Sequence, residues 1–161
     1  MNKILVLIRH AHRDVSNRAA DNSLSEKGRE QSAEALKHFK KLFPKQSPVV
    51  LSSPKKRCQE TVDAFTSEVQ IEPSLLEQGK FESPRAFLSR MKNMAERATQ
   101  RIDVPLLVLC SHGDALPLLM KEFCGVSIEL KKGSFAVLEE VADAPFPFRL
   151  TWLIQPQRAV E

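Results

Sequence analysis

The sequence predicts an α/β fold in which helices are layered on a parallel sheet. Three short apolar runs, at residues 4–8, 49–51 and 106–110, each lead into a stretch that has the capping residues or the periodicity of a helix. A short continuous apolar run is typical of a strand that is buried on both faces. Repeated strand-to-helix units predict parallel strands that are joined by right-handed crossovers.

A loop and a long amphipathic helix are predicted after the first strand. Residues 13–23 are rich in Asn, Asp, Ser and Arg, so we expect a loop that lies over the end of the strand. Ser25 can accept a hydrogen bond from the first turn of a helix that runs to about Phe43. An apolar stripe with a period of 3.6 residues marks the buried face of this helix: Ala35, Leu36, Phe39, Leu42 and Phe43.

Two further helices are predicted from a serine that is followed by proline. Ser53-Pro54, directly after the second strand, and Ser83-Pro84 each combine a capping hydroxyl with the residue favoured at the first helical position. Between them, residues 67–81 lose periodicity, and we expect a loop with a short turn near Gly79. The helix after Ser83 has apolar residues at helical spacing, which predict its buried face: Phe87, Leu88, Met91, Met94, Ala95 and Ala98.

The C-terminal part predicts one more helix and two strands. The helix runs from about Ala115 to Phe123, because Gly125 stands where a glycine commonly ends a helix. The strands are predicted at residues 134–140 and 148–154. In the second strand, apolar residues alternate with polar ones, as at a sheet edge that is covered on one side: Phe148, Leu150, Trp152 and Ile154.

The ends of the first three strands carry residues that suit chemistry on phosphate. The carboxyl ends of parallel strands share one edge of a sheet, so Arg9 and His10, Arg57 and His112 are expected to converge there. Guanidinium groups bind phosphate oxygens in bidentate fashion. A neutral imidazole can attack phosphorus, and a second, protonated one can stabilise the transferred oxygens. Arg9 and His10 point to opposite faces of a regular strand, so the chain must bend where the strand ends.

Four sequence blocks, in the same order as in the family, resemble the histidine phosphatase superfamily, the phosphoglycerate-mutase-like group. The blocks are Leu7-Ile-Arg-His-Ala11, Leu24-Ser-Glu-Lys-Gly-Arg-Glu-Gln31, Leu51-Ser-Ser-Pro-Lys-Lys-Arg-Cys-Gln-Glu-Thr61 and Cys110-Ser-His-Gly113. The resemblance implies a three-layer α/β/α sandwich around a mostly parallel sheet. Within the superfamily, the chain is most similar to the short bacterial phosphohistidine phosphatases.

The resemblance also implies roles for individual residues. His10 would accept the phosphate, and Arg9, Arg57 and His112 would complete the phosphate pocket. Gly113, at the end of the fourth block, is expected to contribute to substrate binding. His12 is expected at the rim of the same pocket, where it would contact the substrate.

Three positions depart from the pattern of the family. Ala11 stands where the family has glycine, and its methyl group is compatible with a negative φ. The family's asparagine that binds substrate is represented by Asn17, or by Ser16. The general acid, a glutamate in many members, is matched by Glu77 or by Glu82, and short members can lack this acid.

These residues favour a metal-independent phosphatase that forms a phosphohistidine on His10 and needs no cofactor. The segment between Arg57 and His112 leaves little room for a capping subdomain. An open site suits a bulky phosphorylated protein, and it favours hydrolysis over mutase chemistry, which needs an intermediate shielded from water. The substrate is expected to be a phosphohistidine protein or a small phosphate ester. Its specificity would be set by the loops at residues 13–23 and 67–83.

Two alternatives remain at this point. Ala11 and the uncertain acid are compatible with a phosphate-binding module that does not turn over its ligand. A metal-dependent hydrolase would use one set of ligands: His10, His12, Asp14, His112 and Asp114. Two arginines in the same place would oppose a divalent cation.

Composition narrows the cellular setting and the partners. A length of 161 residues predicts one domain over residues 1–161. The net charge of +4 is carried by dispersed basic pairs, which favour anionic substrates over nucleic acid. Three cysteines without a Cys-x-x-Cys pair predict a cytoplasmic protein without disulfides or structural zinc. No apolar stretch is long enough to predict a membrane span or a signal peptide.

Overall fold

One six-stranded sheet organises the residues that the computed structural model describes, which are 2–101 and 103–155. The strands are β1 Ile4–Arg9, β2 Val49–Ser52, β3 Val69–Ile71, β4 Leu106–Ser111, β5 Phe135–Glu140 and β6 Phe148–Ile154. The helices are α1 Glu26–Leu42, α2 Lys56–Val62, α3 Pro84–Thr99 and α4 Ala115–Cys124. The expected domain over residues 1–161 includes residues 1, 102 and 156–161, which lie outside the described residues.

The sheet has a parallel half and an antiparallel half, and its strand order is β3-β2-β4-β1-β5-β6. The pairs β2–β3, β2–β4 and β1–β4 are parallel. Strands β5 and β6 extend the sheet with antiparallel pairs beyond β1. The α/β fold and the mostly parallel sheet predicted from the sequence are therefore confirmed.

Helices cover both faces of the sheet, so the fold has three layers. Alternate residues of β1 join two separate hydrophobic clusters. Leu5 and Leu7 pack in the cluster that contains the buried faces of α3 and α4, whereas Val6 and Ile8 pack in the cluster that contains those of α1 and α2. Each of these four side chains is at most 1% exposed. Full burial of such a side chain contributes about 1.5–3 kcal/mol, so β1 is a main contributor to the core.

Two of the predicted helix starts are confirmed by the hydrogen bonds that cap them. The Ser25 hydroxyl accepts the N–H of Gly28 at 3.0 Å, and the Ser83 hydroxyl accepts the N–H of Ala86 at 3.1 Å. At the end of α4, Gly125 has a φ of 78°, which is the left-handed conformation that favours glycine.

Helix α2 begins later than the sequence predicts. Its first residue is Lys56, and Lys55 occupies the capping position without a side-chain hydrogen bond. Ser53 is therefore not the cap of this helix, and its hydroxyl lies 2.8 Å from Nε2 of His112 and accepts the N–H of Lys55 at 3.4 Å. The predicted loop at 67–81 is wrong in part, since it contains β3 and a short 3-10 helix at Pro73–Leu75.

Two apolar residues predicted to be covered are partly exposed. Leu88 is 37% exposed on α3, outside its packed face. Trp152 is 57% exposed, whereas Phe148 on the same strand is 2% exposed. The pairing of β5 with β6 shifts by one residue at Thr151, because Leu138 pairs with Leu150 and Val137 pairs with Trp152. This bulge moves Trp152 and Ile154 to the opposite face of the sheet from Phe148.

Within the described ranges, no helix combines the length and the apolar character that crossing a bilayer requires.

Candidate active site

Three loops meet at the carboxyl edge of the sheet, directly after β1, β2 and β4. The backbone N–H of His10 donates to the carbonyl of Ser111 at 3.1 Å, and that of Ser53 donates to the carbonyl of Cys110 at 3.1 Å. These bonds continue the strand pairing by one residue and hold the loops together. As a result, the rings of His10 and His112 lie edge to face, with centroids 5.3 Å apart.

His10 is held as a neutral imidazole with one nitrogen free to attack. Its Nδ1 lies 2.8 Å from the carbonyl oxygen of Ala11, which can only accept a hydrogen bond. Nδ1 therefore carries the proton, and the lone pair is on Nε2. Burial, reinforced by the charges of His112, Arg57 and Arg9, lowers the pKa of His10 to about 3. The ring thus stays neutral near neutral pH, with a lone pair on Nε2, which is the state that a nucleophile requires.

The backbone that presents His10 is fixed by Thr61 on α2. The N–H of Ala11 donates to Oγ1 of Thr61 at 2.9 Å, and this hydroxyl donates to the carbonyl of Arg57 at 2.6 Å. Ala11 is fully buried, and its φ is not positive. The methyl group is therefore accommodated where the family has glycine. Thr61 was not among the predicted site residues, although its spacing of four from Arg57 places both on one helix face.

Each of the two arginines is anchored by one Nη nitrogen and has an Nε–H donor without a partner among the described residues. Arg9 donates from Nη1 to the carbonyl of Leu130 at 2.8 Å, and Arg57 donates from Nη2 to Oε2 of Glu77 at 2.8 Å. The Nε–H groups of both arginines are buried and have no acceptor among the described residues. Buried donors without a protein partner are costly, and phosphate oxygens are acceptors that would satisfy them.

His112 lies at the centre of this group, and each of its two ring nitrogens contacts two neighbours. Its Nε2 lies 2.8 Å from the Ser53 hydroxyl and 3.6 Å from the Cys58 thiol. Its Nδ1 lies 3.4 Å from Nη2 of Arg57 and 3.6 Å from Oε2 of Glu77. The sequence indicated Ser53 only as a helix cap, because nothing in the sequence shows that its hydroxyl faces the end of β4.

A proton donor must lie beside the phosphate pocket, and Glu77 is the candidate carboxylate that does. It contacts Arg57 and His112 as described above, and its side chain is 39% exposed, so it can exchange protons with solvent. Glu82 does not meet this requirement. It forms two hydrogen bonds with Arg90, and these lower the pKa of Glu82 to about 2.

The loop that carries Glu77 is organised by Arg90 on α3. The guanidinium of Arg90 donates to three backbone carbonyls and to both oxygens of Glu82, at distances of 2.7–3.0 Å. The three carbonyls are those of Ser74, Leu76 and Glu77. In addition, Asp114 accepts the N–H of Gln78 at 3.0 Å, which ties this loop to the one that carries His112.

Residues 5–80 match the model of the histidine phosphatase superfamily (branch 1). Over these residues the resemblance to this superfamily is confirmed. The matched range contains Arg9, His10, Arg57 and Glu77. The Cys110-Ser-His-Gly113 block lies beyond this range, yet the sheet brings it beside the other motifs. No curated protein sequence matched the chain.

Solved structures share the fold over nearly their whole length. An Escherichia coli protein assigned as an alpha-ribazole-5'-P phosphatase has a TM-score of 0.80 and 20% identity, with 100% of both chains covered. The alpha-ribazole phosphatase from Shigella flexneri has a TM-score of 0.75 and 19% identity, with 98% of both chains covered. The protein histidine phosphatase SixA, complexed with tungstate, has a TM-score of 0.72 and 16% identity, with 95% of this chain and 97% of SixA covered. At these identities the likeness shows a shared fold.

The remaining site residues expected from the superfamily pattern lie in different surroundings. The side chain of Asn17 accepts the N–H of Ala19 within the exposed loop after β1. His12 is held against the start of α1, where its Nδ1 lies 2.6 Å from the Ser25 hydroxyl. Neither residue has a described contact with His10 or His112, so their roles in substrate binding stay predictions.

Gly113 lies against the guanidinium of Arg9. A Cβ at this position would be 2.7 Å from Cζ of Arg9 and 2.9 Å from its Nε. A side chain at this position would therefore displace the Arg9 guanidinium from its place beside the loop of His112.

The ligand set considered for a metal hydrolase is not brought together. The described residues contain no group of three or more His, Cys, Asp or Glu side chains that could hold a metal ion. Asp14 accepts the N–H of Ser16 in its own loop, and Asp114 bonds to Gln78. The alternative built on these residues is therefore wrong for the geometry observed.

Substitution of Gly113 by alanine should weaken phosphate binding. The added methyl would displace the Arg9 guanidinium, and loss of one charge-assisted hydrogen bond would raise the Kd for inorganic phosphate about tenfold. Gly79→Ala is a matched control, because the nearest atom to its new methyl would be 3.5 Å away, at Cβ of Glu82. Calorimetric titration with inorganic phosphate measures both variants. An unchanged Kd in Gly113→Ala would show that Arg9 does not depend on this close contact.

Substitution of Arg90 by methionine should loosen the loop that carries Glu77. Amide exchange at Leu76 and Glu82, whose N–H groups bond within this loop, is expected to become at least about tenfold faster. The same substitution should change how stability depends on pH. The lowered pKa of Glu82 contributes stability at pH values above 4.5, the ordinary pKa of this carboxyl, and this contribution is lost as pH falls towards 2. Between these pH values, Arg90→Met should therefore lose less stability than wild type.

Arg97→Met is the control for Arg90→Met, because Arg97 is on the same helix but contacts Glu72 and Ser74 at the surface. Hydrogen exchange followed by NMR and acid unfolding curves measure all three proteins. Equal exchange rates in Arg90→Met and wild type would contradict the role of Arg90 in ordering this loop.

Proposed function

We propose that this chain is a metal-independent phosphatase that removes phosphate from a phosphohistidine protein or a small phosphate ester through a phosphohistidine on His10. The match to the superfamily model over residues 5–80 supports phosphatase activity. The observation that carries the mechanism is the hydrogen bond from Nδ1–H of His10 to the carbonyl of Ala11. It leaves Nε2 as the nucleophile beside the two arginines with unpartnered Nε–H groups.

In the first step, Nε2 of His10 attacks phosphorus, and the bond from phosphorus to the leaving group breaks. Arg9 and Arg57 hold the phosphoryl oxygens, and His112 with Ser53 completes the set of polar groups around them. Glu77, in its protonated form, gives its proton to the leaving oxygen or nitrogen. The products are the phosphohistidine on His10, the dephosphorylated substrate and the ionised form of Glu77.

In the second step, water attacks phosphorus and the bond to Nε2 of His10 breaks. Glu77 takes a proton from the attacking water, and inorganic phosphate leaves. His10 returns to the neutral state, with its proton still on Nδ1. The two steps together consume one water molecule and restore every side chain.

The chain between Arg57 and His112 supports a protein substrate. The segment between the parts of the pocket that hold Arg57 and His112 consists of β3, a short 3-10 helix, the Glu77 loop, α3 and β4. This segment forms no separate capping subdomain among the described residues. Solved structures with the same fold are described as a protein histidine phosphatase and as alpha-ribazole phosphatases, so the fold serves both substrate types in those proteins. The free thiols of Cys58, Cys110 and Cys124 support a cytoplasmic location.

Hydrolysis of 4-nitrophenyl phosphate in excess chelator tests this proposal. We expect turnover by wild type that is unchanged by the chelator. Turnover that the chelator abolishes would show a metal-dependent hydrolase. Binding of inorganic phosphate without turnover of either 4-nitrophenyl phosphate or a phosphohistidine peptide would show a phosphate-binding module.

A further inference from the structure

A group of basic side chains lies beside the phosphate pocket and is not used by the mechanism above. We call it the basic rim. It consists of Arg13, Arg18, Lys27 and Lys132. Three separate segments supply these residues: the loop after β1, the first turn of α1 and the turn before β5.

Backbone contacts bring these three segments against the end of β1. The N–H of Gly133 donates to the carbonyls of Arg9 and His10, at 3.1 and 3.3 Å, which places Lys132 beside the pocket. Gly28 packs against the carbonyl of His12 so closely that a side chain could not fit there. Arg13 forms an isolated antiparallel bridge with Leu24. The basic rim is therefore built by the fold, and it is contiguous with Arg9.

The charges of the basic rim act on one another. Lys132 is half-buried, and burial together with Arg9, Arg13, Arg18 and Lys27 lowers its pKa. Burial together with Lys132, Lys27 and Arg18 likewise lowers the pKa of His12.

Two carboxylates of the loop after β1 have backbone partners. In the described part of the chain, no ion pair joins a residue of the basic rim to an acidic side chain. The Asp14 carboxylate accepts the N–H of Ser16, and Asp21 accepts the N–H of Lys56.

Gathering four cations around a half-buried lysine costs free energy that a bound anion would offset. The phosphate itself is held by Arg9 and Arg57, so the basic rim is available to a different group. We propose that the basic rim binds a second anionic group of the substrate, separate from the phosphate that is removed. This inference rests on the proposed function for the place of the scissile phosphate. It makes the substrate class a phosphorylated molecule with a further carboxylate or phosphate nearby.

Binding of phosphonates, which cannot be hydrolysed, tests this inference independently of turnover. The probes are carboxyalkyl phosphonates with two to five methylene groups, each paired with the alkyl phosphonate in which a methyl replaces the carboxylate. Calorimetry should give at least about tenfold tighter binding for the carboxylated member at the chain length that spans the pocket and the rim. This preference should shrink as salt is raised, because two of the four rim residues are exposed and none is fully buried.

Lys132→Met should remove most of this preference and leave the affinity for alkyl phosphonates within about twofold of wild type. Lys131→Met is the matched control, because Lys131 is its exposed neighbour and is not among the charges that act on Lys132 or His12. Equal losses in the two variants would show a diffuse charge effect and overturn the subsite. No preference at any chain length in wild type would also overturn it.

Two further comparisons identify the source of the second anion and separate this inference from the proposed function. Peptides that carry a phosphonate analogue of phosphoserine flanked by aspartate or by asparagine test a protein source. A preference for the aspartate peptide larger than that for any small phosphonate would indicate an acidic protein surface. If wild type hydrolyses 4-nitrophenyl phosphate but shows no preference in either series, the subsite is wrong and the phosphatase stands. If it shows the preference without turnover, the subsite stands and the phosphatase is wrong.

Discussion

Replacement of His10 by asparagine is expected to lower kcat for 4-nitrophenyl phosphate by at least about 10⁴-fold, as loss of a catalytic nucleophile does. The asparagine amide can still donate to the carbonyl of Ala11, but it has no lone pair able to attack phosphorus. Steady-state kinetics with wild type and variant measure the effect. The other groups around the phosphate are untouched, so inorganic phosphate should still bind.

The controls for this variant are measurements of its fold and of its affinity for inorganic phosphate. His10 is buried, and replacing it removes a neutral ring rather than a charge, so the near-ultraviolet circular dichroism should be retained. The Kd for inorganic phosphate should stay within about threefold of wild type, because Arg9 and Arg57 supply the charge-assisted bonds. A folded variant with kcat close to wild type would contradict covalent catalysis at His10.

Replacement of Glu77 by glutamine is expected to slow only the substrates that need a proton on the leaving group. For an alkyl phosphate, loss of a general acid should lower kcat/KM by about 10²–10³-fold. For 4-nitrophenyl phosphate, whose leaving group departs as an anion, kcat/KM should change by less than about threefold. Glutamine keeps an oxygen that can accept from Arg57, so the pocket is preserved.

Glu82→Gln is the control variant for Glu77→Gln. Glu82 is on the same loop but is paired with Arg90, so its loss should affect stability and not the dependence on leaving group. Steady-state rates for a series of aryl and alkyl phosphates measure this dependence in all three proteins. Equal losses for good and poor leaving groups in Glu77→Gln would assign Glu77 to positioning Arg57 and not to proton transfer.

Most of the fold follows from features that are local in the sequence. The buried runs that became β1, β2 and β4 and the serine caps of α1 and α3 act through neighbouring residues, so the sequence reveals them. The edge strand β3 has only three residues, and its pairing with β2 depends on a partner distant in sequence. The bulge at Thr151 also cannot be predicted from the neighbouring residues, because an alternating pattern does not show where the register shifts.

The residues of the site likewise fall into those that the sequence indicates and those that it does not. Arg9, His10, Arg57 and His112 were indicated because each stands just after a predicted strand or in the following helix, and parallel topology brings such positions together. Ser53, Thr61 and Arg90 were missed as site residues because their roles depend on which side chain faces another across the sheet edge. Arg90 in particular acts on carbonyls of a segment whose path was predicted only as a loop.

The measurement that most directly tests a phosphohistidine on His10 is a single-turnover reaction with a phosphate donor labelled at phosphorus, in excess chelator and quenched within the turnover. Catalysis through His10 predicts a labelled protein that is stable in alkali and labile in acid, with the label on the peptide that contains His10 and none in His10→Asn. Label on another residue, or turnover at the wild-type rate with no labelled protein at any quench time, would contradict it.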